Sequence, residues 1–144
     1  KKPKRIAVIG GGVAGMSAAT IAAGRGHQVT LFEAGSEVGG QFNLAKVIPG
    51  KEEFHETIRY FKVQIEKTGV ELRLNTKASR EQLEREGFEE VIVATGVVPR
   101  ALKIAGSDAP QVLSYAEVLR GAPWGALSDH LPLAAELLPR FYLH

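Results

Sequence analysis

The chain has 144 residues, 44% of them hydrophobic and 24% charged, with a formal net charge of +2. These are the proportions of one ordinary globular domain, or of part of a larger one, rather than of a fibrous or disordered chain. Cysteine is absent, which excludes disulfides, thiolate metal sites and a redox-active cysteine pair within these residues.

The positive charge is local. Lys1, Lys2, Lys4 and Arg5 are four of the 18 basic residues, and without them 14 basic side chains face 16 acidic ones, a net charge of −2. No basic stripe lies elsewhere, so the cluster reads as a solvated lead-in to a strand and no nucleic-acid partner is expected. No apolar run approaches the roughly 20 residues that span a bilayer, and no signal peptide is visible. A cytoplasmic location with no membrane partner is therefore expected. The first residue is Lys1 rather than Met, which suggests a segment of something longer. The four histidines have no metal-ligand spacing; His27 is placed in a turn, His55 on a helix face, and neither is assigned a catalytic role.

Arg5 to Ile9 reads as a buried strand that runs straight into Gly10, Gly12 and Gly15. That is the G-x-G-x-x-G turn of a dinucleotide-binding βαβ unit, and each glycine has its own task. Gly10 turns the chain sharply off the strand. Gly12 lets a pyrophosphate approach the backbone, and Gly15 lets the next helix lie against the sheet. The phosphates then meet the unpaired N–H groups and the positive dipole end of the helix. Glycine turns also occur by chance and in kinase loops, so the context decides. Ala14 to Gly24 is an Ala-rich helix, and Gln28 to Phe32 is a second strand ending at Glu33. An acidic residue at that position can accept hydrogen bonds from both ribose hydroxyls of an adenosine.

Residues 34–50 read as a loop holding Gly39-Gly40 and closing on Pro49-Gly50. From Lys51 to Lys67 the pattern is helical, with Phe54, Ile58, Phe61 and Ile65 on one face and Gly69 as the stop. Val70 to Leu74 reads as a third strand, Arg80 to Glu86 as a short charged helix, and Glu90 to Ala94 as an apolar strand running into Thr95-Gly96. Pro99-Arg100 begins an irregular link. Val112-Leu113 looks like a short strand, and Tyr115 to Leu119 like a turn or two of helix.

Alternation of strand and helix predicts an α/β fold, a Rossmann-like doubly wound parallel sheet. The first strand should be central, with the strand at residues 90–94 beside it. Thr95-Gly96 then falls at the carboxyl edge next to the glycine turn, where ligands of such sheets bind. Three features favour a flavin over a generic dinucleotide: Gly39-Gly40-Gln41 beyond Glu33, the small-residue strand end Val93-Ala-Thr-Gly96, and the long stretch between the second and third strands.

Further motifs carry a family resemblance. They are Val-Gly-Gly-Gln-Phe-Asn43, Pro-Gly-Lys-Glu-Glu-Phe54, Val-Ala-Thr-Gly-Val-Val-Pro-Arg100 and Val-Leu-Ser-Tyr115. Together with the glycine turn and Glu33-Ala34, they make residues 4–122 resemble the FAD domain of bacterial 2,4-dienoyl-CoA reductases. Those are NADH:flavin oxidoreductases related to trimethylamine dehydrogenase. The resemblance implies an incomplete FAD-binding domain here. It implies an NAD(P)H domain, and an N-terminal barrel with FMN, an iron–sulfur cluster and the substrate site, outside this chain.

Carried over by motif, Gly10, Gly12, Val13, Ala14 and Gly15 would hold the pyrophosphate. Glu33 would bind the ribose, with Ala34 flanking it. Gly40 and Gln41 would line the flavin half, and Ala94, Thr95 and Gly96 would close over the cofactor. Ala78 would touch the adenine. None is a general acid or base, because the cofactor carries the chemistry.

The pattern breaks near Pro123, so residues 1–122 are taken as the nucleotide-binding domain and 123–144 as a tail of unknown role. Either that tail is an unrelated C-terminus on a truncated product, or its leucines and aromatics dock on an open sheet edge. The family's later Gly-Asp motif, which completes the FAD pocket, is also absent. The isolated chain is therefore expected to lack reductase activity, and its unfinished sheet invites self-association. Two other readings stay open: a module that holds ADP structurally, as in relatives near trimethylamine dehydrogenase, and a simple NAD dehydrogenase domain.

Overall fold

A computed structural model of the chain describes residues 2–98, 100, 103–109 and 112–121. Four parallel strands form one sheet in the order β3-β2-β1-β4. They are β1 (Arg5–Ile9), β2 (Gln28–Phe32), β3 (Glu71–Arg73) and β4 (Glu90–Val93). The central place of β1, with β4 beside it, matches the winding expected from the sequence. Among the described residues five helices accompany them: α1 (Val13–Gly24), α2 (Phe42–Ala45), α3 (Glu53–Thr68), α4 (Arg80–Glu86) and α5 (Tyr115–Leu119).

The register explains where the core lies. Ile6 pairs with Val29 and Val8 with Leu31, so these four side chains share one face of the sheet. Met16 and Ala19 of α1 and Ile65 of α3 pack on that face, with Val38 and Val70 at its margin. Met16, Leu31 and Val8 are fully buried, and each such side chain contributes roughly 1.5–3 kcal/mol of burial. Helix α3 carries Glu53 and Glu56 in its first turn and Lys67 in its last, the charge order that the helix dipole favours. It ends at Gly69 with φ +72°, a left-handed cap that costs least at glycine.

The opposite face is built differently. Arg73 stands 5.2 Å over the Phe32 ring, and Arg5 stands 5.2 Å over Phe88. Arg73 also pairs with Glu86 at 2.6 Å, fastening α4 as the chain crosses from β3 back to β4. Helices α1 and α3 thus cover one face, while α4 is fastened to the other through this ion pair.

Two expectations change. Residues 34–50 contain the one-turn helix α2, whose Phe42 ring meets Phe54 at 4.4 Å. That turn joins local backbone bonds to a ring contact with α3, which no periodicity in the sequence announces. Val112 and Leu113 belong to no strand; they lead into α5, whose start is fixed by a Ser114–Glu117 capping box. The tail expected over residues 123–144 and Pro99 lie outside the described residues.

Candidate functional site: a cavity at the carboxyl edge of the sheet

The ends of β1, β2 and β4 meet at one edge, and the backbone ladder continues into the loops there. The Gly10 N–H donates to the Phe32 carbonyl at 2.8 Å and the Ala94 N–H to the Ile9 carbonyl at 2.8 Å. Gly10 turns off β1 with φ +109°, and a Cβ at Gly10 would fall 2.4 Å from the Ala94 oxygen. No other residue fits there. A Cβ on Gly15 would lie 1.8 Å from the Gly10 oxygen, so α1 can approach the turn only because Gly15 has none. Around Gly12, by contrast, a Cβ would meet nothing within 4 Å. Its space opens outward.

That open space is a cavity of about 840 Å³, in the size range of ligand pockets. Its floor is Gly10, Gly12, Val13 and Ala14. First-turn N–H groups of an α-helix have no intrahelical acceptor, so those of α1 are free to meet an anion. One end is Glu33, and the other side is Ala94, Thr95 and Gly96. Gly40 and Gln41 form the facing wall. The wall is close: a Cβ on Gly40 would lie 3.1 Å from the Gly12 Cα. Gln41 Nε2 donates to the Val97 carbonyl at 3.1 Å, which ties this wall to the segment after β4.

Glu33 is held rigidly. Its Oε2 accepts the Gly11 N–H at 2.7 Å and its Oε1 the Gly35 N–H at 2.6 Å. A carboxylate has about four acceptor sites, so lone pairs remain for two hydroxyls on the cavity side. The loop after β3 is fastened to the same place, through Thr76 N–H to the Glu33 carbonyl at 2.9 Å.

Gly15, Ala34 and Ala78 do not line the cavity. Gly15 acts from beneath, Ala34 is the exposed residue after Glu33, and Ala78 lies in the loop after β3. Sequence reasoning missed other lining residues. Phe42, Asn43, Leu44 and Val47 come from α2 and its exit, and Leu119 and Arg120 from the end of α5. Asn43 stood in a quoted motif, but nothing local to it says where its side chain goes. Among the described residues, no group of three or more His, Cys, Asp or Glu could hold a metal ion. No helix among them is long and apolar enough to cross a membrane.

Fold and cavity together define a Rossmann-like α/β domain built to receive a nucleotide at its carboxyl edge. The chain belongs to the pyridine nucleotide-disulphide oxidoreductase family, whose model matches residues 4–122. It is 42% identical over 116 residues to bilirubin reductase of Mediterraneibacter gnavus, covering 81% of this chain and 18% of that protein. To cinnamate reductase of Clostridium sporogenes it is 40% identical over 116 residues, covering 81% of this chain and 17% of the relative. Among solved structures, a 2-naphthoyl-CoA reductase in complex with 2-naphthoyl-CoA aligns with TM-score 0.80 and 39% identity, over 83% of this chain and 18% of that one. The resemblance to the 2,4-dienoyl-CoA reductase-like oxidoreductases therefore holds. The chain spans less than a fifth of the length of these curated relatives.

Proposed function

We propose that the chain is the FAD-binding segment of an NAD(P)H-dependent flavin oxidoreductase of the 2,4-dienoyl-CoA reductase type. The observation that carries this reading is the juxtaposition of Gly12, the rigid Glu33 carboxylate and the Gly40–Gln41 wall around one cavity. The fit is good at each point. The glycine turn leaves backbone room for a diphosphate, Glu33 has acceptor capacity for a ribose, and the cavity extends past Thr95 and Gly96. When bound, FAD supplies the redox chemistry, passing reducing equivalents from NAD(P)H toward a substrate.

This chain's own residues bind and orient. The first turn of α1 faces the diphosphate with its free N–H groups. Glu33 fixes the adenosine and, through its charge, disfavours a nucleotide with a 2′-phosphate in this cavity. Gln41, tied to Val97, keeps the two walls together. Ala94 and Gly96 present small surfaces that let a ring system lie near the strand end. The bound cofactor would carry the chemistry, and the 144 residues alone are expected to bind nucleotide without reductase turnover. FMN and an iron–sulfur cluster would belong to another part of a larger protein.

Fluorescence quenching of FAD by the purified chain tests this reading. Saturable 1:1 quenching supports it. Calorimetric heat with ADP and none beyond it with FAD favours the alternative, a module that holds only the adenosine half.

A further inference from the structure

The Gly39–Gly40 wall has no strand of its own, yet it lies against the phosphate turn like one. Gly39 pairs with Gly12 in an isolated parallel bridge, and its N–H donates to the Gly11 carbonyl at 2.8 Å. Such a bridge is weak alone, so something else must hold the loop. Gln41 ties the far end of the wall to Val97 and backbone bonds close the turn at Gly39 and Gly40; the side chain that packs against Gly39 itself is the amide of Asn43. Asn43 Nδ2 donates to the Val38 carbonyl at 3.1 Å, and Asn43 Oδ1 accepts from Lys46 Nζ at 2.8 Å. The fit is tight: a Cβ on Gly39 would fall 2.7 Å from both Nδ2 and Oδ1 of Asn43.

Lys46 decides which way the amide points. An ammonium only donates, so it selects Oδ1 and leaves the NH₂ group for Val38. Lys46 is itself anchored, with Nζ 4.0 Å from Glu37 Oε1 and its side chain only 21% exposed. All these polar contacts stay within residues 37–46. Asn43 is not among the buried residues of the core. Its removal should therefore loosen the wall and leave the sheet standing.

We infer that Asn43 is a positioning residue for the nucleotide cavity, holding Gly39 and Gly40 against Gly12, with Lys46 setting the orientation of its amide. The inference rests on the reading of this cavity as an FAD site. It concerns the shape of the site and not contact with the reacting atoms.

The test compares Asn43→Leu, Asn43→Asp and Lys46→Met in the 144-residue chain by amide hydrogen exchange, FAD titration and the visible circular dichroism of added FAD. Asn43→Leu should speed exchange of the Gly39 amide and weaken FAD binding, each about 10-fold, as for one lost hydrogen bond. Exchange at Met16 and Leu31 and the Tm should stay near those of the unmodified chain. Asn43→Asp should fail equally, because a carboxylate has no donor for the Val38 carbonyl. Lys46→Met should fall between, with an altered dichroism of the flavin.

Unchanged Gly39 exchange in Asn43→Leu would overturn the inference. Uniform acceleration across the sheet would do the same, and so would an Asn43→Asp chain that behaves like the unmodified one. The exchange readout needs no ligand. A chain that binds no FAD counts against the proposed function, and Gly39 still decides the role of Asn43.

Discussion

Glu33 Oε2 lies 2.7 Å from the Gly11 amide nitrogen, so the carboxylate that ends β2 is fastened to the turn that ends β1. One hydrogen bond thus sets the distance between the carboxylate and the turn that, on the proposed reading, would meet the ribose and the diphosphate of one nucleotide. The carboxylate is pre-ordered before any ligand arrives, which lowers the entropy lost on binding.

Gly12 and Gly15 of the turn should respond differently to one added methyl group. Gly12→Ala meets no atom within 4 Å, and its φ of −72° suits alanine, so stability should change by less than about 1 kcal/mol. Nucleotide affinity should nevertheless fall, because the methyl fills the cavity floor. Gly15→Ala places a Cβ 1.8 Å from the Gly10 oxygen, and forcing the backbone apart in this way costs about 1–3 kcal/mol, occasionally more. Urea unfolding read beside FAD titration separates the two; equal losses of stability would contradict the assignment of roles.

Much of this was legible in the sequence, for a physical reason. β1, α1, β2, α4 and α5 are short-range structures whose signals are local: apolar runs, alanine content, a Ser cap before charged residues. The glycine turn is likewise a local code, since each glycine answers to a neighbour within the same βαβ unit. What was not legible depends on distant partners. Helix α2 packs its Phe42 against the distant Phe54 of α3, and Leu119 and Arg120 reach the cavity from the end of α5. Val112-Leu113 has strand composition but finds no neighbouring strand among the described residues. Asn43 stood in a quoted motif, but the role of its side chain shows only once Lys46 and Val38 are seen around it.

Met16 gives a direct measure of the core. It is fully buried between α1 and the sheet, packed with Val8 and Leu31. Met16→Ala should destabilise the chain by about 2–5 kcal/mol, seen as a lower urea midpoint with an unchanged slope. A loss below about 1 kcal/mol would mean the α1–sheet packing is looser than described.

Acid should weaken the second face. Hydrogen bonds from Arg73 and then Thr30 hold the Glu71 carboxyl below its ordinary value. Those from Gln82 and then Arg73 do the same for Glu86. A carboxyl whose pKa is lowered by folding contributes stability above its unfolded value, about 4.3 for Glu, and loses it as pH falls through the folded value. Stability should therefore decline as pH drops below roughly 5. Arg73→Met removes the shared partner, so it should lower stability near neutrality and flatten the acid slope. Urea midpoints from about pH 7 to about pH 3 check this; parallel pH curves for both chains would contradict it.

The central claim is that Glu33 and the glycine turn form one nucleotide site. Isothermal calorimetry of the chain and of Glu33→Ala, each with FAD and with ADP, tests it most directly. The account predicts saturable FAD binding to the unmodified chain, weakened about 10- to 100-fold in Glu33→Ala, as expected for lost hydrogen bonds to a charged group. ADP should weaken in parallel, because both ligands present the same ribose. A folded chain that binds neither ligand, or a Glu33→Ala chain that binds FAD as tightly as before, would contradict it.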